Sequence, residues 1–302
     1  MVSLAFLVSL YISISYVVGV YATDVNINDY RSGRDDPRII AQRVNRITLI
    51  LIANLIIIPV TLYQFGIANS FKEAFLSLGI WPHHSCYVIE ALKALALIGL
   101  LYVGPIMDTL LYYTFVPHTR FLQELKEELL NIWGFRNYVF APVTEEIFYT
   151  SMILNCYRFL AHEPVTKKKL VWLTPFFFGL AHVHHAYETY QTSRTSLATV
   201  ILTTLLQVMY TTLFGCLTNC VFLKTGGNLW ACILMHAFCN YMGFPEPSQL
   251  NMYYTDVRKP QTELTAKLLT YWSRIYFVLL ILGIWLFATN FNALLLSPHS
   301  LM

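Results

Sequence analysis

Charge is what this chain has least of. Only 12% of its 302 residues are charged, against about a quarter in a soluble domain. The formal net charge of +3 is too small to argue for nucleic acid. Its six cysteines (Cys86, Cys156, Cys216, Cys220, Cys232 and Cys239) form no C-x-x-C pair and no secreted-type disulfide framework. All lie in or beside apolar segments and read as buried thiols. H-E-x-x-H is missing, and the histidine spacing matches no common zinc signature. There is no internal repeat and no low-complexity tract. A soluble domain, a disulfide scaffold and a nucleic-acid binder are all poor descriptions of such a sequence.

What is there is apolar: 56% of residues are hydrophobic. Crossing a bilayer takes about 20 such residues per helix. Eight candidate spans follow: Val2–Ala22, Ile47–Phe65, Tyr87–Phe115, Asn137–Leu160, Leu170–Tyr187, Leu197–Leu223, Leu229–Phe244 and Tyr271–Leu296. The expected fold is an all-α polytopic membrane protein. It has one transmembrane domain over residues 1–302, with about eight transmembrane helices around a polar intramembrane cavity. The first span lacks a basic leader and reads as an anchor, not a cleaved signal. Pro105 is placed to kink the third, which also holds Glu90, Lys93 and Asp108. Ile67–Cys86 reads as interfacial, His118–Phe135 as an amphipathic polar helix, and Thr23–Arg46 as a loop. Its five arginines put that loop in the cytosol by the positive-inside rule. Eight spans then put Lys167, Lys168 and Lys169 on the opposite side, so orientation stays open.

Glu145 and Glu146 stand inside the fourth span. A carboxylate at membrane depth costs several kcal/mol, about 2.5–3.5 on insertion scales, unless it is paired or wetted. Adjacent helical positions diverge by about 100°, so different roles are expected for the two. Glu145 neighbours Tyr149, and Glu146 neighbours Thr150. A helix start at the interface, permitted by Pro142, is the plainer alternative. The fifth span contributes Phe178, His182, His184 and His185. On a continuous helix His184 diverges from His182 by about 200°, and His185 returns to its face. The seventh contributes His236 and Asn240, four apart and on one face.

Two carboxylates, several imidazoles and an amide suit hydrolysis. In one route Glu145 and His182 hold a water as general base and acid, while His236 and Asn240 donate hydrogen bonds to the oxyanion. In a second, histidines and a glutamate bind zinc. The missing zinc spacing favours the metal-free route, with no cofactor. A third route, through Cys239 or Cys220, lacks any group to stabilise a thiolate. A non-catalytic transporter or scaffold with buried acids is the remaining reading.

The strings APVTEEIFYT, FFFGLAHVHH and HAFCNYMGFP, in that order, resemble the type II CAAX prenyl endopeptidases, a family of glutamate-dependent intramembrane proteases. The family pattern is E-E-x-x-x-R, then F-x-x-x-H, then H-x-x-x-N or H-x-x-x-D. Glu145 and Glu146, Phe178 and His182, and His236 and Asn240 match it. Arg136–Asn137 and Thr225–Trp230 also look familiar, so the catalytic core spans about residues 136–245. One position departs: the family's arginine is Thr150 here, which leaves Glu146 in need of another partner. The resemblance implies removal of the last three residues from prenylated CAAX proteins such as Ras-like GTPases. It also implies a multi-pass place in the bilayer of the endoplasmic reticulum.

Overall fold

The computed structural model describes residues 3–21, 35–161, 165–192, 195–258, 260 and 262–302, without the side chains of 187, 188, 191 and 192. Every regular element among them is helical. In chain order these are α1 (Leu4–Tyr21), α2 (Pro37–Phe65), α3 (Phe71–Leu76), α4 (Tyr87–Leu101), α5 (Val103–Phe115) and α6 (Phe121–Leu129). The composite helix α7 joins Ile132–Gly134, a π turn Phe135–Phe140, Ala141–Glu145, a second π turn Glu146–Met152, and Ile153–Phe159. Then come α8 (Lys167–Trp172), α9 (Pro175–Ala181), α10 (His184–Thr192), α11 (Leu197–Lys224) and α12 (Leu229–Met242). The last are α13 (Gln249–Met252), continued by a π turn over Tyr253–Val257, and α14 (Glu263–Leu294).

The all-helical class is as expected, but the number of spans is not. Among the described residues four helices are long and apolar enough to cross a membrane: α1, α2, α11 and α14. The bent pair α4–α5 makes a fifth if taken as one span. The fifth expected run breaks into α8, α9 and α10, because Pro175 restarts the helix and the chain turns after His182. The seventh is a helix of only 14 residues. The amphipathic run narrows to α6, and Asn131 then caps α7 by accepting the Gly134 N–H at 2.7 Å.

Two local rules move other boundaries. Asp36 accepts the Arg38 N–H at 2.8 Å and Pro37 opens the helix, so α2 starts ten residues before Ile47. Arg38, Arg43 and Arg46 therefore stand on a helix, not in a loop; residues 23–34 of that expected loop lie outside the described set. Pro105 cannot donate to Leu101, and the chain bends by 78° between α4 and α5. Gly283 of α14 packs into the bend, where a Cβ would meet the Leu101 carbonyl. The turn between α11 and α12 needs glycine for its backbone, with Gly226 at φ +68° and Gly227 at φ +86°.

Helix α7 runs through the centre. Phe148, Met152, Ile153, Leu154 and Cys156 are wholly buried against α1, α11 and α12. Asp108 of α5 anchors the opposite end. It accepts from the Ser248 hydroxyl at 2.6 Å, the Gln249 N–H at 2.6 Å and the Trp272 Nε1–H at 2.7 Å. Asp108→Ala leaves these three donors without their acceptor. It is expected to cost about 3 kcal/mol, seen as a lower unfolding midpoint in detergent. Asp108→Asn, which keeps an acceptor oxygen, should cost less.

Candidate active site

The site grows out of an irregularity in α7. In the first π turn each N–H reaches the fifth residue back, as the Ala141 N–H does to the Arg136 carbonyl. The next donor in that pattern is residue 142, which is proline and has no N–H. The Asn137 carbonyl is thereby left open. Asn240 of α12 fills the gap, with its Nδ2–H donating to the Asn137 oxygen at 2.9 Å. One missing proton on α7 thus fixes where α12 docks. It also gives one N–H of Asn240, an exposed residue, a structural partner.

Docked this way, α12 presents His236 to both acids. The Nδ1–H of His236 donates to Glu146 Oε1 at 2.8 Å, and its Nε2 lies 3.7 Å from Glu145 Oε2. Glu146 is almost fully buried, while the Glu145 side chain keeps 18% of its surface exposed. The second π turn, beginning at Glu146, changes the angular spacing just after the pair. Divergent roles for the two acids were expected, and the structure supplies the bridge: one imidazole, a carboxylate at each nitrogen. Glu146 receives from His236 the hydrogen bond that the family's arginine would have offered. Thr150 does not supply it. Its hydroxyl pairs with Thr218 at 2.9 Å.

His182 closes α9. Its Nδ1–H donates to the Phe178 carbonyl at 2.8 Å, which sets the tautomer and leaves the Nε2 lone pair of the neutral ring for other work. Phe178 is the apolar wall between the imidazoles, its ring centre 4.7 Å from His182, 6.3 Å from His236 and 5.1 Å from Tyr149. Glu145 and His182 line one cavity of about 140 Å³. His184 and His185 line it too. That corrects the sequence expectation: the break after His182 starts a new helix, so the angles of a continuous one do not apply.

Sequence reasoning missed two contributors. Tyr16 of α1 sits in the same cavity, its hydroxyl 3.2 Å from Thr144 Oγ1 and 3.5 Å from Glu145 Oε1. Arg43 of α2 lines it as well. Neither has a local motif; only long-range packing brings them there. Among the described residues no cluster of three or more His, Cys, Asp or Glu side chains is arranged to hold a metal ion.

A buried Glu–His–Glu bridge and a second imidazole, at a pocket inside an apolar bundle, point to a membrane protein of hydrolytic type. Residues 127–242 match the family described as type II CAAX prenyl endopeptidase Rce1-like. The chain is 46% identical over 293 residues to CAAX prenyl protease 2 of Saccharomyces cerevisiae, covering 92% of each protein. It is 28% identical over 292 residues to probable CAAX prenyl protease 2 of Schizosaccharomyces pombe, covering 95% of this chain and 94% of that one. With CAAX prenyl protease 2 of Homo sapiens the identity is 37% over 110 residues, 36% of this chain and 32% of the human one. No solved structure matches the chain. The chain belongs to the type II CAAX prenyl endopeptidase family, and it is a protease of the membrane.

The His236 bridge makes a specific prediction. Glu146→Gln keeps the shape but loses the carboxylate that holds Nδ1–H, so the ring can adopt the other tautomer. kcat for peptide cleavage should fall by about 10²–10⁴ with little change in KM. Steady-state kinetics with a prenylated peptide measure both.

Proposed function

We propose that this chain is an intramembrane endopeptidase that removes the last three residues of farnesylated or geranylgeranylated CAAX proteins, with Glu145 as the base that activates water. Family membership supports the substrate class. The observation that carries the mechanism is the Glu145–His236–Glu146 bridge beside a cavity that also holds His182.

In this reading a water lies between the Glu145 carboxylate and His182 Nε2. Glu145 takes its proton as the oxygen attacks the scissile carbonyl. The carbonyl pair moves to oxygen, giving a tetrahedral oxyanion. Preorganised donors stabilise such an anion better than bulk water does, because they need no reorganisation. His236, held by Glu146, supplies Nε2–H when both ring nitrogens are protonated. The second Asn240 N–H supplies another. Collapse expels the tripeptide amine, which receives the proton that Glu145 took from the water, directly or relayed through His182 Nε2. Phe178 keeps solvent from the imidazoles, and Glu146 keeps His236 in register.

The catalytic core in this reading is about residues 136–245, within a single transmembrane domain. The isoprenoid stays in bilayer or bundle while the short peptide reaches the wet cavity. Substrates are prenylated proteins such as Ras-like GTPases, and the membrane is that of the endoplasmic reticulum. No cofactor or metal takes part.

The test is cleavage of a farnesylated CAAX peptide by the purified chain, with the tripeptide read by mass spectrometry. Glu145→Ala, His182→Ala and His236→Ala should each lower kcat by about 10²-fold or more. Near-normal turnover by folded Glu145→Ala overturns the assignment of the base. One bound zinc per chain, with activity lost on chelation and restored by zinc, overturns the metal-free route.

A further inference from the structure

The cavity beside Glu145 carries charges of both signs. Arg43 of α2 and Arg136 of α7 line it together with Glu145 and His182. The hydrolysis proposed above has no use for either guanidinium, and the inference that follows rests on that reading. A peptide that loses three residues from its end brings its own anion into the cavity. Its terminal α-carboxylate has an ordinary pKa of about 3.5 and is ionised at neutral pH. It lies three residues from the bond to be cut, on the same molecule as a carbonyl that must approach two glutamates. A carboxylate enclosed among protein groups needs a charged partner.

Arg136 already shows that it takes one. Its Nη1 lies 2.9 Å from Asp35 Oδ1, while its Nε–H donates to Asn137 Oδ1 at 2.9 Å and so holds the fork in place. The Asp35 side chain is 63% exposed and that of Arg136 only 23%. The guanidinium is therefore fixed in the protein, and the acid on it comes from the solvent side, where an exposed ion pair is worth little. Arg43 stands across the cavity on α2, with its Cζ 5.7 Å from the Tyr21 ring centre. Arg46, three residues on, donates from Nε to the Gly19 carbonyl at 3.1 Å. Two arginines lining one cavity suit a carboxylate, which their planar forks can bind through paired N–H groups.

The spacing fits as well. Arg136 and Glu145 are nine residues apart on α7. At about 1.5 Å per residue that is roughly 13 Å of helix. Three extended residues span about 10–11 Å, and the arginine side chain covers the rest.

We propose that Arg43 and Arg136 form the subsite for the substrate's C-terminal carboxylate, and that their distance from Glu145 sets the cut three residues from the chain end. Asp35 occupies the subsite between turnovers and yields to the substrate.

The experiment uses the purified full chain and three farnesylated peptides: a free acid, the same peptide as its C-terminal amide, and one with a residue added after the last position. The wild type should cleave the acid at least about tenfold better than the amide in kcat/KM, mostly through KM. The lengthened peptide should be cut three residues from its new end or not at all. Arg43→Gln and Arg136→Gln should each lower kcat/KM for the acid about tenfold more than for the amide, bringing the acid-to-amide ratio toward one, with Arg136→Lys partly restoring the preference. Equal cleavage of acid and amide by the wild type overturns the subsite, whatever the variants do. So does an equal loss on both peptides in folded variants. Failure of the wild type to cut any prenylated peptide is a different result, which overturns the proposed function itself.

Discussion

Everything in this molecule turns on a histidine held between two glutamates. Carboxylates do not belong at the centre of an apolar bundle unless something answers them, and His236 answers both. The ring can do so only because it arrives edge-on, with a nitrogen toward each acid. That requires α12 at one height and one rotation against α7. The height is set nine residues before Glu146, where Pro142 leaves the Asn137 carbonyl open for Asn240. A gap in one helix's hydrogen bonding and the charge balance of the site are therefore the same piece of design, seen from its two ends.

The same logic explains how the chain does without the family's arginine. An arginine after the acid pair would bring a full charge and several donors to Glu146. Here Glu146 Oε1 is satisfied by an imidazole N–H, and Thr150 turns away to bond Thr218 on α11. The acid is kept by exchanging an ion pair within one helix for a hydrogen bond between two. Phe178, Tyr149 and Tyr16 close around it, so the polar groups meet each other in preference to lipid.

Much of this was legible in the sequence because the polar residues were the anomalies. Glu145, Glu146, His182, His236 and Asn240 stood out from apolar surroundings, and their order carried the family resemblance. Three things were not legible. The π turns of α7 leave no periodic trace, since they change the spacing of only a few residues. The break after His182 lies in a run whose apolar side chains suit a continuous helix, so His184 seemed to point away from a cavity that it lines. Tyr16 and Arg43 reach the site from distant helices, and no local pattern announces a long-range contact. The start of α2 is the opposite case: Asp36 and Pro37 are ordinary start signals, but the hydropathy of Ile47 onward outweighed them.

The contribution of Tyr16 has a consequence for how the enzyme can be divided. The segment that matches the family pattern begins at residue 127, yet one wall of its pocket and a hydroxyl beside Glu145 come from α1. The first helix is thus less a tether than a lid sewn on from outside. A version built from the recognisable segment alone would hold the reactive side chains in an unfinished room. Two halves made separately would have to meet sideways in the bilayer, α1 against α7, before either became a protease.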